Sequence, residues 1–172
     1  KVSGENFPET GPFILAPTHR SIIDSPVASS VYRKRMRFMG ADKWWSNRYF
    51  GKLLTALGGF PVSRGSADRE ALRRCIAVIE GGEPLVLFPE GERKSGPVVQ
   101  QLFEGAAYVA MKTGAPIIPV GIAGSERAMP KGSKIIYPRK MHVIVGAALA
   151  RQLTTVLHTE LQRLFDAAQA RV

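Results

Sequence analysis

Residues 12–26 read Pro-Phe-Ile-Leu-Ala-Pro-Thr-His-Arg-Ser-Ile-Ile-Asp-Ser-Pro, and the segment changes character midway. Pro12 to Ala16 is a short apolar run of the kind that forms a buried strand. Asp24-Ser25-Pro26 reads as a helix start, with a capping residue and a proline in the first turn. His19 and Asp24 fall between the two. On a helix an offset of five residues turns about 500°, leaving the side chains roughly 140° apart. On a strand an odd offset places them on opposite faces. Only a turn brings them together, so the segment is a strand-to-helix connection, where functional groups tend to collect.

The same alternation continues along the chain. Strand-like runs are Phe13 to Ala16, Arg37 to Met39, Pro84 to Phe88, Pro116 to Ile122, Lys134 to Tyr137 and Met141 to Val145. Helical patterns lie between several of them. One is capped by Ser66, runs to about Glu80 and stops at Gly81-Gly82. A second runs from Glu104 to Thr113 and ends at Gly114. The last spans about Thr154 to Arg171, with Leu157, Leu161, Leu164, Phe165 and Ala168 on one face. This pattern predicts a single α/β domain covering residues 1–172, with no repeat or dividing linker.

With 172 residues, the chain can bury roughly 70% of its unfolded surface. Its charge is unusual: 24 Lys and Arg against 14 Asp and Glu, a net +10. That balance favours an anionic partner: a phosphorylated metabolite, an acidic carrier, anionic lipid or nucleic acid. The single cysteine, Cys75, rules out an internal disulfide and a multi-cysteine metal site. It shares a helical face with Leu72, Ile76 and Ile79, so it is expected in the core. His142 is expected to face solvent from its strand and His158 from the last helix. Neither has neighbours at metal-ligand spacing, so no metal is expected. No apolar stretch is long enough to span a bilayer and no signal peptide is visible. The chain begins without methionine and reaches a strand signal almost at once, which leaves room for an upstream membrane-associated segment.

Three further stretches carry charged groups beside apolar or glycine-bearing runs: Gly58 to Gly65 with Arg64, Leu85 to Gly96 with Glu90, Gly91, Glu92, Arg93 and Lys94, and the apolar Gly114 to Ile122. In α/β sheets ligands bind beyond the carboxyl ends of strands, which would gather His19, Glu90 and Arg93 at one rim. These stretches resemble, in order, the motifs of the glycerolipid acyltransferase family typified by 1-acyl-glycerol-3-phosphate acyltransferases. His19 and Asp24 match the His-x4-Asp motif, with Thr18 in place of the usual asparagine. Gly59-Phe60-Pro61-Val62-Ser63-Arg64 matches the glycine-aromatic stretch ending in arginine. Phe88-Pro89-Glu90-Gly91-Glu92-Arg93 matches the third motif, with Glu92 in place of a small hydroxyl residue. Pro116 to Val120 matches the apolar, proline-bearing fourth.

The resemblance implies a mixed, mostly parallel central sheet flanked by helices. It also implies acyl transfer from acyl-CoA or acyl carrier protein, the donor substrates, to a hydroxyl of a phosphorylated glycerolipid. The expected acceptor is 1-acyl-glycerol 3-phosphate; glycerol 3-phosphate and other lyso-lipids are the alternatives. No cofactor is implied. His19 would be the general base and Asp24 its orienting carboxylate. Arg64 and Arg93 would grip the acceptor phosphate, with Glu90 at the acceptor site, binding a glycerol hydroxyl or orienting an arginine, and the Gly91 N–H as an oxyanion donor. Arg20 and Ser21 are candidate substrate contacts, helix-start geometry being the alternative account of them.

Within Asp42 to Gly59, Phe50, Leu53, Leu54 and Leu57 form a helical stripe expected in the core. Trp44, Trp45 and Tyr49 sit beside Lys43, Arg48 and Lys52. Amphipathic aromatics next to cations suit an anionic membrane surface, with simple burial of the tryptophans as the alternative, and the expected location is the cytoplasmic face of a membrane. Two other readings compete. A nucleic-acid-binding domain would account for the charge, but no aromatic RNA platform, zinc-finger spacing or recognition helix is present. A lipid esterase would use Ser21 or Ser25, but there is no Gly-x-Ser-x-Gly elbow.

Overall fold

The computed structural model describes residues 1–4, 7–8, 11–62, 68–130, 132–133, 135–149 and 154–172. The strands are β1 (Val2–Gly4), β2 (Ile14–Pro17), β3 (Arg37–Ala41), β4 (Gly59–Val62), β5 (Leu85–Val86), β6 (Ile117–Ala123) and β7 (His142–Val145). The helices are α1 (Asp24–Ser30), α2 (Arg48–Ala56), α3 (Asp68–Glu80), α4 (Gly105–Thr113), α5 (Ser125–Ala128) and α6 (Thr154–Gln169), with a 3-10 turn at Asp42–Trp45. The strands form one sheet in the order β1-β7-β6-β2-β5-β3-β4. β2, β3, β4, β5 and β6 run the same way, while β7 is antiparallel to β6 and β1 is parallel to β7. The mixed, mostly parallel α/β sheet expected from the sequence is therefore the observed one.

Both faces of the sheet are covered, so its inner strands read as continuous apolar runs. Alternation along β2 and the residue before it splits the core in two. Ile14 and Ala16 pack with Cys75, Ile79, Leu161 and Phe165 of α3 and α6. Phe13 and Leu15 pack on the other side with Ala28 of α1, Phe38 and Val120. Helix α6 lies so close to β6 that a Cβ on Gly121 would stand 2.4 Å from the Leu164 carbonyl oxygen. Only glycine fits that position. Cys75 is fully buried, as expected, and burial pushes its thiol up to about 12.

Four sequence expectations are corrected here. Ile135 to Tyr137 is not a strand but an exposed connection between β6 and β7. Pro130 and Pro138 bracket it, and proline lacks the N–H that a ladder needs. β1 is an additional strand, and because it covers the open side of β7, His142 is buried rather than solvent-facing. The His142 ring meets Ser3 Oγ at 3.0 Å. Burial, and then the positive charges of Arg171, the terminal amine and Lys1, lower its pKa. Along α2 only Gly51 is buried and Leu54 packs partly against the core, so the expected core stripe is left half outside. Phe50 is exposed, and Leu53 and Leu57 are each 54% exposed. The helix lies at the sheet's edge against β4, where only one narrow face finds protein. Among the described residues no helix is long and apolar enough to cross a membrane.

Candidate active site

The sheet directions bring the carboxyl ends of β2, β5, β3 and β4 to one edge, and the loops there carry the residues singled out from the sequence. β2 does not stop abruptly. Thr18 N–H donates to the Val120 carbonyl at 3.0 Å, and Thr18 Oγ1 both accepts from Ile122 N–H (2.9 Å) and donates to the Ile122 carbonyl (3.2 Å). The threonine hydroxyl extends the β2–β6 ladder by one step and sets where the chain departs from the sheet. His19 is the next residue.

The turn that follows closes on Asp24. Its Oδ2 accepts the backbone N–H groups of Arg20 and Ser21, each at 2.6 Å, and lies 3.2 Å from His19 Nδ1. Asp24 is thus the first residue of α1 and not its cap; Ile23 holds the cap position and makes no side-chain cap bond. The carboxylate fastens the turn and the imidazole at once. A carboxylate only accepts, so Nδ1 carries the proton and the Nε2 lone pair is left for an external partner. The His19 side chain is 15% exposed while Asp24 is fully buried. Phe88 stacks on the ring at 4.0 Å between centroids and 25° between planes.

A buried ion pair supports the turn from below. Arg20 Nη1 lies 2.8 Å from both Glu90 oxygens, with both side chains essentially inaccessible. Arg20 also donates to the carbonyls of His19, Gly96 and Val98, and its guanidinium lies 4.7 Å from the Phe165 ring centre. Glu90 accepts the N–H groups of His19 (3.0 Å) and Gln100 (3.3 Å). A buried pair of this kind is retained only when its remaining donors and acceptors are satisfied, and here they are. Arg20 and Ser21, candidate substrate contacts, lie under the rim in this structure, and Glu90 holds the Arg20 guanidinium there, the second of the two roles expected of it. Ser21 Oγ is committed to the Met129 carbonyl at 2.7 Å.

Gly91 follows Glu90 at φ +70°, a conformation that favours glycine. A Cβ there would meet the Phe103 ring at 2.8 Å. Its N–H, expected to face an oxyanion, donates to the Phe88 carbonyl at 3.0 Å within the turn. Glu92 pairs with Lys94 Nζ at 2.8 Å, and Lys94 N–H donates to the His19 carbonyl at 2.9 Å. That bond holds the Arg93 segment beside His19. The half-buried Arg93 makes no ion pair or side-chain hydrogen bond among the described residues. Arg64 lies outside the described residues. The structure therefore brings His19, Asp24, Glu90, Arg20 and the backbone of Arg93 together, with Arg20, Ser21 and the Gly91 N–H engaged by partners within the protein.

Helix α6 contributes Gln162, which sequence reasoning passed over, and His158, which it placed on the surface. Gln162 Oε1 accepts Val99 N–H at 2.6 Å and its Nε2 donates to the Pro97 carbonyl at 3.2 Å. His158, expected on the surface, is half-buried, and its Nε2 donates to the Val99 carbonyl at 2.9 Å. These bonds hold the loop whose carbonyls hold Arg20. No local sequence signal marks them, since the partners are 59 to 65 residues apart.

An imidazole held by a buried carboxylate at the carboxyl edge of an α/β sheet is an arrangement suited to base catalysis. A family model described as Acyltransferase matches residues 1–123, and the chain belongs to that family. Among individual proteins it is similar to the 1-acyl-sn-glycerol-3-phosphate acyltransferase of Bacillus subtilis, 27% identical over 146 residues, spanning 84% of this chain and 70% of that protein. It is also similar to the chloroplastic 1-acyl-sn-glycerol-3-phosphate acyltransferase LPAT1 of Arabidopsis thaliana, 26% identical over 160 residues, 91% of this chain but 45% of that one. The crystal structure of the 1-acyl-sn-glycerophosphate acyltransferase PlsC from Thermotoga maritima shares the fold. It superposes with a TM-score of 0.82 at 22% identity, covering 96% of this chain and 71% of that one.

Proposed function

We propose that this chain transfers a fatty acyl group from an acyl thioester, acyl-CoA or acyl carrier protein, to the free hydroxyl of 1-acyl-glycerol 3-phosphate, giving phosphatidic acid for phospholipid synthesis. The observation that carries the reading is the 3.2 Å contact between His19 Nδ1 and Asp24 Oδ2 at the rim. The names of the similar proteins support this acceptor over glycerol 3-phosphate and other lyso-lipids.

A hydroxyl is a weak nucleophile until a base takes its proton as it attacks. His19 Nε2 accepts that proton, and the imidazolium formed is stabilised by Asp24. The new C–O ester bond forms as the thioester C–S bond breaks, and the proton on His19 passes to the departing thiolate. No covalent acyl-enzyme is required. Arg93 binds the acceptor's phosphate through paired N–H donors, and Arg64 is assigned the same task from its motif. Arg20 and Glu90 are positioning residues in this scheme: they hold the backbone on both sides of the base. Exposed Trp44 and Tyr49 rest on an anionic membrane surface on its cytoplasmic face, while Trp45, expected there too, is half-buried against Gly40 and Gly51 and donates its Nε1–H to Thr55 Oγ1 at 2.9 Å.

The test is a panel assay of thiol release, with acyl-CoA and acyl carrier protein donors against 1-acyl-glycerol 3-phosphate, glycerol 3-phosphate and uncharged lyso-lipids. Acceptor-dependent release that vanishes in His19→Ala supports the reading. Undiminished turnover in that variant overturns the base assignment, and free fatty acid formed without acceptor turns the reading toward an esterase.

A further inference from the structure

The connection between β6 and β7 carries a feature that the acyl-transfer chemistry does not use. Ile135, Ile136 and Tyr137 are three consecutive apolar residues in solvent, the two isoleucines 62% and 64% exposed. An exposed run of this kind calls for a covering partner. It is not a frayed end. Tyr137 N–H donates to the Ala128 carbonyl at 2.7 Å, and Ser133 Oγ accepts from Ile135 N–H and donates to the Ile135 carbonyl, both at 3.0 Å. The apolar tip is presented on a fastened loop.

Its place in the fold matters. β6 is the neighbour of β2, and this connection leaves β6 at the same edge from which His19 leaves β2. The Ser21 Oγ bond to the Met129 carbonyl ties the connection to the His19 turn directly. Across the site, β3 leads at that edge into the turn that bears exposed Trp44, followed by Tyr49 and Phe50 at the start of α2. β6 and β3 are three strand spacings apart, about 14 Å. Apolar side chains thus project on both flanks of the base.

The charge around them selects the partner. Residues 131–140 contain Lys131, Lys134, Arg139 and Lys140 and no acidic residue; on the other flank Lys43, Arg48 and Lys52 alternate with the aromatics along the chain, and Lys43 Nζ lies 5.7 Å from the Trp44 ring centre. Exposed apolar and aromatic tips in a stretch of sequence rich in cations suit an anionic bilayer surface. We infer that Ile135, Ile136 and Tyr137 insert into an anionic lipid surface and, with the Trp44 flank, seat the carboxyl edge of the sheet on it so that His19 opens toward the lipid. The inference rests on the acyl-transfer reading only for its purpose, because lipid binding is measured without turnover.

The experiment is co-sedimentation of the 172-residue chain with vesicles of phosphatidylcholine alone and of phosphatidylcholine mixed with phosphatidylglycerol. Partition into the mixed vesicles should fall on the order of a hundredfold in the Ile135→Ser/Ile136→Ser double variant. Binding should weaken with added salt and in Arg139→Glu/Lys140→Glu. The Tyr137→Trp variant should show a blue shift in emission, beyond that of the parent chain, when the mixed vesicles are added. Turnover of a short-chain acceptor dissolved as monomers should persist in all these variants, since the substituted side chains lie in solvent. Unchanged partition of the double variant, or a Tyr137→Trp emission that shifts no more than the parent's, overturns the inference. So does a loss of acyl carrier protein binding with vesicle binding intact, which would assign the surface to a protein. Absent turnover in the unsubstituted chain would sink the acyl-transfer reading and leave the vesicle result standing.

Discussion

Replacing Glu90 with glutamine separates two roles for the same residue. A carboxylate that met the acceptor would leave the fold unchanged when neutralised and would raise the acceptor KM. The structure places it elsewhere, 2.8 Å from Arg20 Nη1 through both oxygens and fully buried. Removing one charge of a buried pair leaves the other uncompensated, at a cost of about 3–5 kcal/mol. The amide also turns a donor toward a site that now receives N–H groups from Arg20, His19 and Gln100. For a chain of this size each kcal/mol shifts the melting temperature by about 2–4 °C. Glu90→Gln should therefore melt roughly 6–20 °C lower, with kcat reduced because the His19 backbone loses its anchor. Arg20→Met/Glu90→Met should recover part of the lost stability, since an apolar pair leaves no orphan charge, but not the turnover. Circular dichroism melting, followed by kinetics well below the transition, measures both. Glu90→Gln melting within about 2 °C of the parent, with only the acceptor KM altered, would refute the positioning role.

Asp24→Asn keeps an oxygen for the Arg20 and Ser21 N–H groups but weakens both bonds and misorients His19. Turnover should fall by about 10⁴, the loss seen when a serine hydrolase triad loses its carboxylate, with a melting shift of only several degrees; wild-type kcat would rule out the relay. The lowered pKa of buried His142 makes stability depend on pH with a definite sign. The unfolded chain takes up a proton below about 6.5 that the folded chain resists, so this contribution is fully present above that pH and lost as the pH falls further. Denaturant titrations from about pH 7.5 to 5 should show a shallower acid loss in His142→Gln, and equal slopes would exclude His142 as the source. Cys75, buried and pushed up to about 12, should resist maleimide at about pH 8 until denaturant is added; rapid labelling of the native chain would contradict its burial.

The sequence by itself determined what depends on short-range pattern. Continuous apolar runs bounded by glycine and proline marked β2, β5, β6 and β7, because strands covered on both faces need apolar residues throughout. The offset between His19 and Asp24 required a turn, and the structure supplies one closed by Asp24 itself. Only the tertiary structure decided which polar groups face outward. Glu90 and Arg20 sit in loops that look solvated in one dimension, yet the ends of β2 and β5 bring them together beneath the surface. His142 became buried because β1, far away in sequence, pairs with its strand. Most of the stripe on α2 and the run from Ile135 to Tyr137 stayed exposed because no element among the described residues packs over them. Burial belongs to pairs of segments distant along the chain, and local periodicity holds no record of which partner arrives.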